Sequence, residues 1–239
     1  MNLQFYRDLV KQHGPAAAAG YLSYRAVNRL GDLRLLKALV ITVDDVDKKF
    51  LSDPAQGQFF DRATLKRLAR DPDHHLTAEY IDEAMDNGER CYGFREGERL
   101  KSYGWYSTRP KALTELGEGL VMHFDPSYVY MYNGFTHPEH RGQRLHAIGM
   151  AKALEALTNE GSKGLIAYVD ATNFSSLKSC ARMGYREIGY VMLASVAGRT
   201  ASWATPGCNP YSFKIVEWAP AARAHATAQQ SAVAGSAAS

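Results

Sequence analysis

Residues 128–146 read YVYMYNGFTHPEHRGQRLH. Tyr128 to Phe135 is aromatic and β-branched, the composition of a strand, and Asn133-Gly134 followed by Thr136 to Gly142 is turn chemistry. From Gln143 to Leu157 the apolar residues Leu145, Ile148, Met150, Ala151, Leu154 and Leu157 keep helical spacing. Gly161 to Gly164 closes that helix, and Leu165 to Val169 reads as the next strand, so the stretch predicts a β-α-β unit. A strand that ends in a glycine-containing turn and opens a helix presents free backbone N–H groups, which can hold a pyrophosphate without any lysine. Arg141 to His146 occupy that turn.

Upstream, Leu36 to Val43 reads as a strand, Thr64–Ala69 and Thr77–Met85 as helices, and Arg90–Phe94 with Leu100–Ser107 as a hairpin. Downstream, Asn173–Met183 is a short helix stopped by Gly184, with strands at Tyr185–Leu193 and Tyr211–Trp218. The chain divides into a basic N-terminal extension (1–35), a central domain (36–219) and an Ala/Ser-rich tail (220–239) whose composition predicts disorder. Within the first 37 residues Arg7, Lys11, Arg25, Arg29, Arg34 and Lys37 outnumber Asp8 and Asp32. Apolar residues at helical spacing lie between those bases, which predicts an amphipathic helix packed on the core with its bases in water. The alternative is a peripheral docking surface for a membrane or an acidic carrier.

The 239 residues suit one large domain or two small ones. The net charge of +3 is too small to point to nucleic acid, and apolar runs fall short of a membrane span. Cys91, Cys180 and Cys208 are odd in number and far apart, so neither a disulfide framework nor a zinc site is indicated. With no secretory pattern at Met1 to Asp8, the expected compartment is the cytoplasm.

The order of elements and the junction residues together resemble the GNAT acyltransferase superfamily over roughly residues 36–219. The family junction reads P-x-x-R-G-x-G-x-G; Pro138, Arg141 and Gly142 match it, Gln143 takes an open position, and Arg144 and His146 stand where the second and third glycines usually are. Asn173, Gly184 and Tyr185 match the spacing of N-x-x-A-x-x-L-Y-x-x-x-G-F, with Ser176, Ser179 and Cys180 at the Ala, Leu and Tyr positions. The resemblance implies an α/β (α+β) GNAT fold: a mixed central sheet of about seven strands flanked by helices. It implies an N-acetyltransferase moving an acetyl group from acetyl-CoA, or another acyl-CoA, to the primary amine of a small molecule in a ternary complex, with no metal. Alternatives are a long-chain acyltransferase using acyl-carrier protein, and a CoA- or partner-binding module without turnover. Homodimerisation is left open.

The resemblance assigns the cofactor to the backbone of Phe135, Thr136 and His137, to Arg141, Gly142, Gln143, Arg144, Leu145 and His146, and to Asn173. Direct transfer needs a neutral amine and a proton for the leaving thiolate. Cys180 stands at the position of the usual tyrosine acid, though a small cysteine packing a helix is the simpler reading. Asp170 and His137 are candidates for the base, with Glu118 and His123 nearby, although Asp170-Ala171-Thr172-Asn173 also reads as a helix cap. His137, His140, His146 and Glu139 cluster as metal ligands do, but histidine at a phosphate-facing turn is chemically ordinary. Strand alternation buries about half of the aromatic residues on the strands, so core packing is the simpler reading for most, with Tyr103, Trp105, Tyr130 and Tyr132 as candidate acceptor contacts. Such a pocket favours an acceptor with apolar or planar surface over a bare polyamine.

Overall fold

The computed structural model describes residues 7, 10, 11, 14–28, 32–196 and 199–217. The expected tail, 220–239, and most of 1–13 lie outside the described residues.

The elements run α1 (Pro15–Val27), β1 (Asp32–Ile41), α2 (Lys48–Leu51), β2 (Gln58–Phe60), α3 (Arg62–Leu68), α4 (Ala78–Asp86), β3 (Arg90–Glu96), β4 (Arg99–Ser107), β5 (Lys111–Ala112) and β6 (Leu120–His123). They continue with β7 (Tyr128–Thr136), α5 (Leu145–Asn159), β8 (Gly164–Asp170), α6 (Phe174–Met183), β9 (Arg186–Val196), β10 (Arg199–Ala204) and β11 (Lys214–Glu217). Local chemistry sets many of these ends. α1 starts on Pro15, whose missing N–H costs nothing in a first turn. Thr77 caps α4 by accepting from the Tyr80 amide at 3.2 Å, and Asp61 caps α3 through the Thr64 amide at 2.7 Å. No helix among the described residues is long and apolar enough to cross a membrane.

Eight strands form a sheet in the order β10-β9-β1-β8-β7-β4-β3-β2, and β11-β6-β5 form a separate small sheet. The large sheet is mixed: β7 and β8 are parallel, as the α5 crossover between them requires, while the other neighbours are antiparallel. The fold expected from the sequence is the one observed, with β1 beginning four residues earlier because Asp32 to Arg34 pair with β9. β2, β5, β6 and β10 are short or polar strands with too little alternation to be read in advance. The last strand begins at Lys214 rather than Tyr211, because Pro206–Tyr211 winds into a 3-10 turn.

Three apolar clusters divide the layers. On one face, α5 and α2 cover Leu39, Ile41, Val129 and Leu165, with Leu177 and Cys180 of α6 packed at the margin. The opposite face is covered twice. The small sheet packs on Ala38, Tyr130, Ile166 and Val191, while α3 and α4 pack on Cys91, Tyr103 and Trp105. These two covers do not meet over β7 and β8, which leaves a cleft of about 1560 Å³ in the sheet face between them.

Candidate active site

β7 and β8 pair only from Tyr128–Gly164 to Tyr130–Ile166, although each runs on for several residues. Past that point β8 stays paired with β1, so among the described residues Met131 to Thr136 has no partner strand on its β8 side. A bulge falls in this free stretch: Tyr103 pairs Phe135 and Trp105 pairs Tyr132, so Asn133 and Gly134 together oppose Gly104. Asn133 takes φ +46°, the left-handed region that asparagine tolerates. The extra residue puts Tyr132 and Phe135, three apart, on the same face of the sheet.

This geometry corrects the expected backbone contacts. The His137 amide donates to the Lys101 carbonyl at 2.9 Å, and the Phe135 carbonyl accepts from the Ser102 hydroxyl at 2.8 Å. Both residues are therefore turned into β4. By strand alternation the main-chain groups aimed at the open edge are those of Gly134 and Thr136.

Beyond the strand, Pro138–His140 forms one 3-10 turn, Gly142 takes φ +83°, and Arg144 takes φ +58° as the residue before α5. Arg141 to Arg144 are exposed, and a side chain built on Gly142 meets nothing within 4 Å among the described residues. The first turn of α5, at Leu145, His146 and Ala147, has amides with no preceding helical carbonyl to reach, so an anion can be received there. Leu145 offers its amide, since its side chain is buried in the core. The His146 ring lies against Gly134, where an added Cβ would come within 2.3 Å of the ring carbon Cε1. Burial holds the His146 pKa below its ordinary value.

The floor of the cleft is built by Tyr130 and Tyr132 of β7 and Tyr168 of β8. Glu89, only 3% exposed, lies where α4 gives way to β3 and accepts from Lys111 Nζ at 2.6 and 2.9 Å and from the Tyr132 hydroxyl. Burial first, then the neighbouring Tyr80 and Glu89, drives the Tyr132 pKa far above the ordinary tyrosine value. Asn133 Nδ2 donates to the Tyr80 hydroxyl at 3.1 Å, which ties the bulge to α4. Tyr168 donates to Glu115 Oε1 at 2.5 Å. His123 lines the cleft with its pKa lowered by burial and by Lys214.

Of the acceptor contacts expected from sequence, Tyr130 and Tyr132 line this cleft. Tyr103 and Trp105 do not: both are core residues under α3 and α4, Tyr103 stacked on Phe135 at 5.3 Å and Trp105 wholly buried. Asp170 is outside the cleft as well, since its carboxylate accepts from the amide and hydroxyl of Thr172 at 2.8 and 2.5 Å and closes the turn after β8. His137 caps the 3-10 turn through Nδ1, and Asn173 caps α6 by accepting from the Ser176 amide at 3.1 Å. Cys180 packs beside Leu177 against the α5-side core, its thiol pushed up to about 11 by burial. Nothing in the sequence singles out Glu89, Lys111, Tyr168 or Glu115 as site residues. No local pattern marks them, because the cleft that joins them is made by elements far apart in the chain. Among the described residues no group of three or more His, Cys, Asp or Glu side chains is arranged to hold a metal ion.

The parallel β7–α5–β8 crossover, the open edge and the helix start together define an α/β domain built around one strand-to-helix junction. The sequence profile of the Acetyltransferase (GNAT) family matches residues 57–185, more than half of the chain, and the chain belongs to that family. No curated protein matches it. Among solved structures it is similar to a GNAT-family protein from Novosphingobium aromaticivorans, at 15% identity and TM-score 0.47, over 68% of this chain and 64% of that one. It is also similar to a GNAT-family acetyltransferase from Colwellia psychrerythraea, at 11% and 0.46, over 77% and 61%. A third likeness is to an N-acetyltransferase from Staphylococcus aureus, at 11% and 0.43, over 69% and 99%. The chain thus spans less than two thirds of the length of the first two.

Proposed function

We propose that the protein is an N-acetyltransferase that moves an acetyl group from acetyl-CoA to the primary amine of a small molecule bound in the cleft. The observation that carries this reading is the parting of β7 from β8 after Tyr130 and Ile166, which leaves an unpaired strand edge between a helix N-terminus and an acid-containing cleft. The donor's pyrophosphate fits the exposed turn Arg141–Arg144 and the first amides of α5, and its amide-bearing arm fits the open edge at Gly134 and Thr136. When bound, acetyl-CoA supplies an activated thioester.

The chain's own residues then have three tasks. The cleft orients the amine toward the gap between the strands. Glu89, hydrogen-bonded to Lys111, receives the proton that an ammonium must lose before it can attack, directly or through the Tyr132 hydroxyl that already touches it. Asn133 fixes the bulge through Tyr80, so the strand edge keeps its direction as the reactants meet.

Calorimetry with acetyl-CoA, free CoA and a long-chain acyl thioester, followed by thiol release with an amine panel, tests the reading. Acetyl-CoA is expected to bind, and Gly142→Asp is expected to weaken it at least about tenfold by setting a carboxylate beside the phosphates. Gly142→Ala carries the same backbone strain without the charge and should weaken it far less. Equal effects of the two variants would reject this phosphate site. Binding confined to the long-chain thioester would point to the longer donor, and CoA binding without thiol release to a module without turnover.

A further inference from the structure

We infer that the acceptor is a cationic amine carried on a flat apolar ring, with no carboxylate beside its amino group. The inference rests on reading the cleft as the amine side of an acyltransferase.

Tyr132, Tyr130 and Tyr168 form a ladder across β7 and β8, with neighbouring planes 12° and 13° apart and centroids at 5.2 and 6.1 Å. Tyr130 is buried in the middle, while the half-buried outer rings present surface to the cleft. Each outer hydroxyl donates to a carboxylate, Tyr132 to Glu89 and Tyr168 to Glu115. A phenol that donates to a carboxylate gains electron density, and its ring face becomes a better seat for a cation. Tyr132 already carries one, the Lys111 ammonium 4.7 Å from its centroid. Among the described residues no cation sits over Tyr168.

The charges lining the cleft give the same sign. Glu83, Glu89, Glu115 and Glu217 face Arg109 and Lys111, Lys111 pairs with Glu89, and Arg34 at the rim donates to the Glu115 main-chain carbonyl at 3.0 Å, which leaves four acidic against three basic side chains. The remaining acidic excess raises the local concentration of cations and opposes a carboxylate on the ligand. An open-chain amine meets the charge but leaves the rings uncovered, and a ring contact is worth about 2- to 13-fold in affinity. A ring-bearing amine meets both.

Calorimetry of the full chain with 2-phenylethylamine, butylamine and phenylalanine, with and without free CoA, separates these features. The first is expected to bind at least about fivefold more tightly than either of the others. Tyr168→Leu should bring it down to the level of butylamine, and Glu115→Gln should weaken both amines about three- to fivefold. Tyr168 is half-buried and Glu115 exposed, so both variants should fold, and each should keep its acetyl-CoA Kd within about twofold of the parent because neither touches the phosphate turn. Butylamine or phenylalanine binding as tightly as 2-phenylethylamine, unchanged discrimination in Tyr168→Leu, or no amine binding in either arm would overturn the inference. Failure of the parent to bind acetyl-CoA while it still selects 2-phenylethylamine would reject the acyltransferase reading and leave the amine site standing.

Discussion

Arg144 stands in the left-handed region at φ +58° where the family motif has a glycine. An L side chain there crowds its own carbonyl by about 1–2 kcal/mol, whereas glycine brings about 0.4–1 kcal/mol of extra freedom to the unfolded chain. Arg144→Gly should therefore stabilise the protein by about 0.5–1 kcal/mol, read as a higher urea midpoint with an unchanged slope. A lower midpoint would show that the guanidinium makes a stabilising contact. Glu89 presents the opposite case. Its carboxylate is buried against Lys111, whose side chain is itself only 18% exposed, so removing one partner strands a charge. Glu89→Gln is expected to cost about 3 kcal/mol and to lower turnover, and the double variant Glu89→Gln with Lys111→Met should recover much of the stability but not the turnover. Recovery of both would remove Glu89 from the chemistry. Arg144 was legible as a departure from a motif. Glu89 was not, because a single glutamate after Asn87-Gly88 looks like any exposed turn residue until the sheet buries it.

At the scale of elements, the short helix α6 is fixed at both ends by local chemistry, the Asn173 cap and Gly184 at φ +104°. Gly184 answers to a tertiary demand as well. A Cβ there would lie 2.2 Å from the Asp45 carbonyl oxygen, in the turn that follows β1. Gly184→Ala should cost about 2–5 kcal/mol, from backbone strain together with the forced displacement of that turn. A loss under 1 kcal/mol in denaturant unfolding would show that the turn yields freely. The motif spacing identified Gly184 as a helix stop, but the approach of Asp45 was out of reach, since residues 45 and 184 meet only once β1 and β9 have paired. The bulge in β7 was hidden for a related reason. Asn133-Gly134 reads as turn chemistry at the end of the strand, and only the register against β4 shows that the two residues form a bulge opposite Gly104.

Across the whole molecule, the burial of tyrosines sets a limit on stability at high pH. Tyr103, Tyr106, Tyr130 and Tyr185 are each less than a tenth exposed, and burial raises the pKa of all four above the ordinary value. A folded-state pKa above the unfolded one means that the contribution is complete below about pH 10 and declines as the pH rises, because only the unfolded chain releases those protons. Each phenol then removes about 1.4 kcal/mol per pH unit, or about 5 kcal/mol per unit for the four together. The urea midpoint should fall steeply above pH 10, with tyrosinate absorbance rising in step with unfolding. Tyrosinate forming at pH 10 in a folded chain would show that these rings are more accessible than their packing indicates.

Sequence by itself determined the order of the main elements, their caps and stops, and the strand-to-helix turn that suits an anion, since all of these depend on residues within a few positions of one another. It also singled out Tyr130 and Tyr132, which line the cleft. Tertiary structure alone decided that Tyr103 and Trp105 belong to the core and that Phe135 and His137 turn their main-chain groups into β4, whereas the bonds of Asp170 to Thr172 are a local turn that the sequence also offers. Tertiary structure likewise brought Glu89, Lys111, Glu115 and Tyr168 around one cleft. The physical reason is that burial and charge pairing are properties of surfaces in contact, and the surfaces that form this cleft come from α4, β5, β6, β7, β8 and β11, which approach one another only after two separate layers have packed on the same face of the sheet.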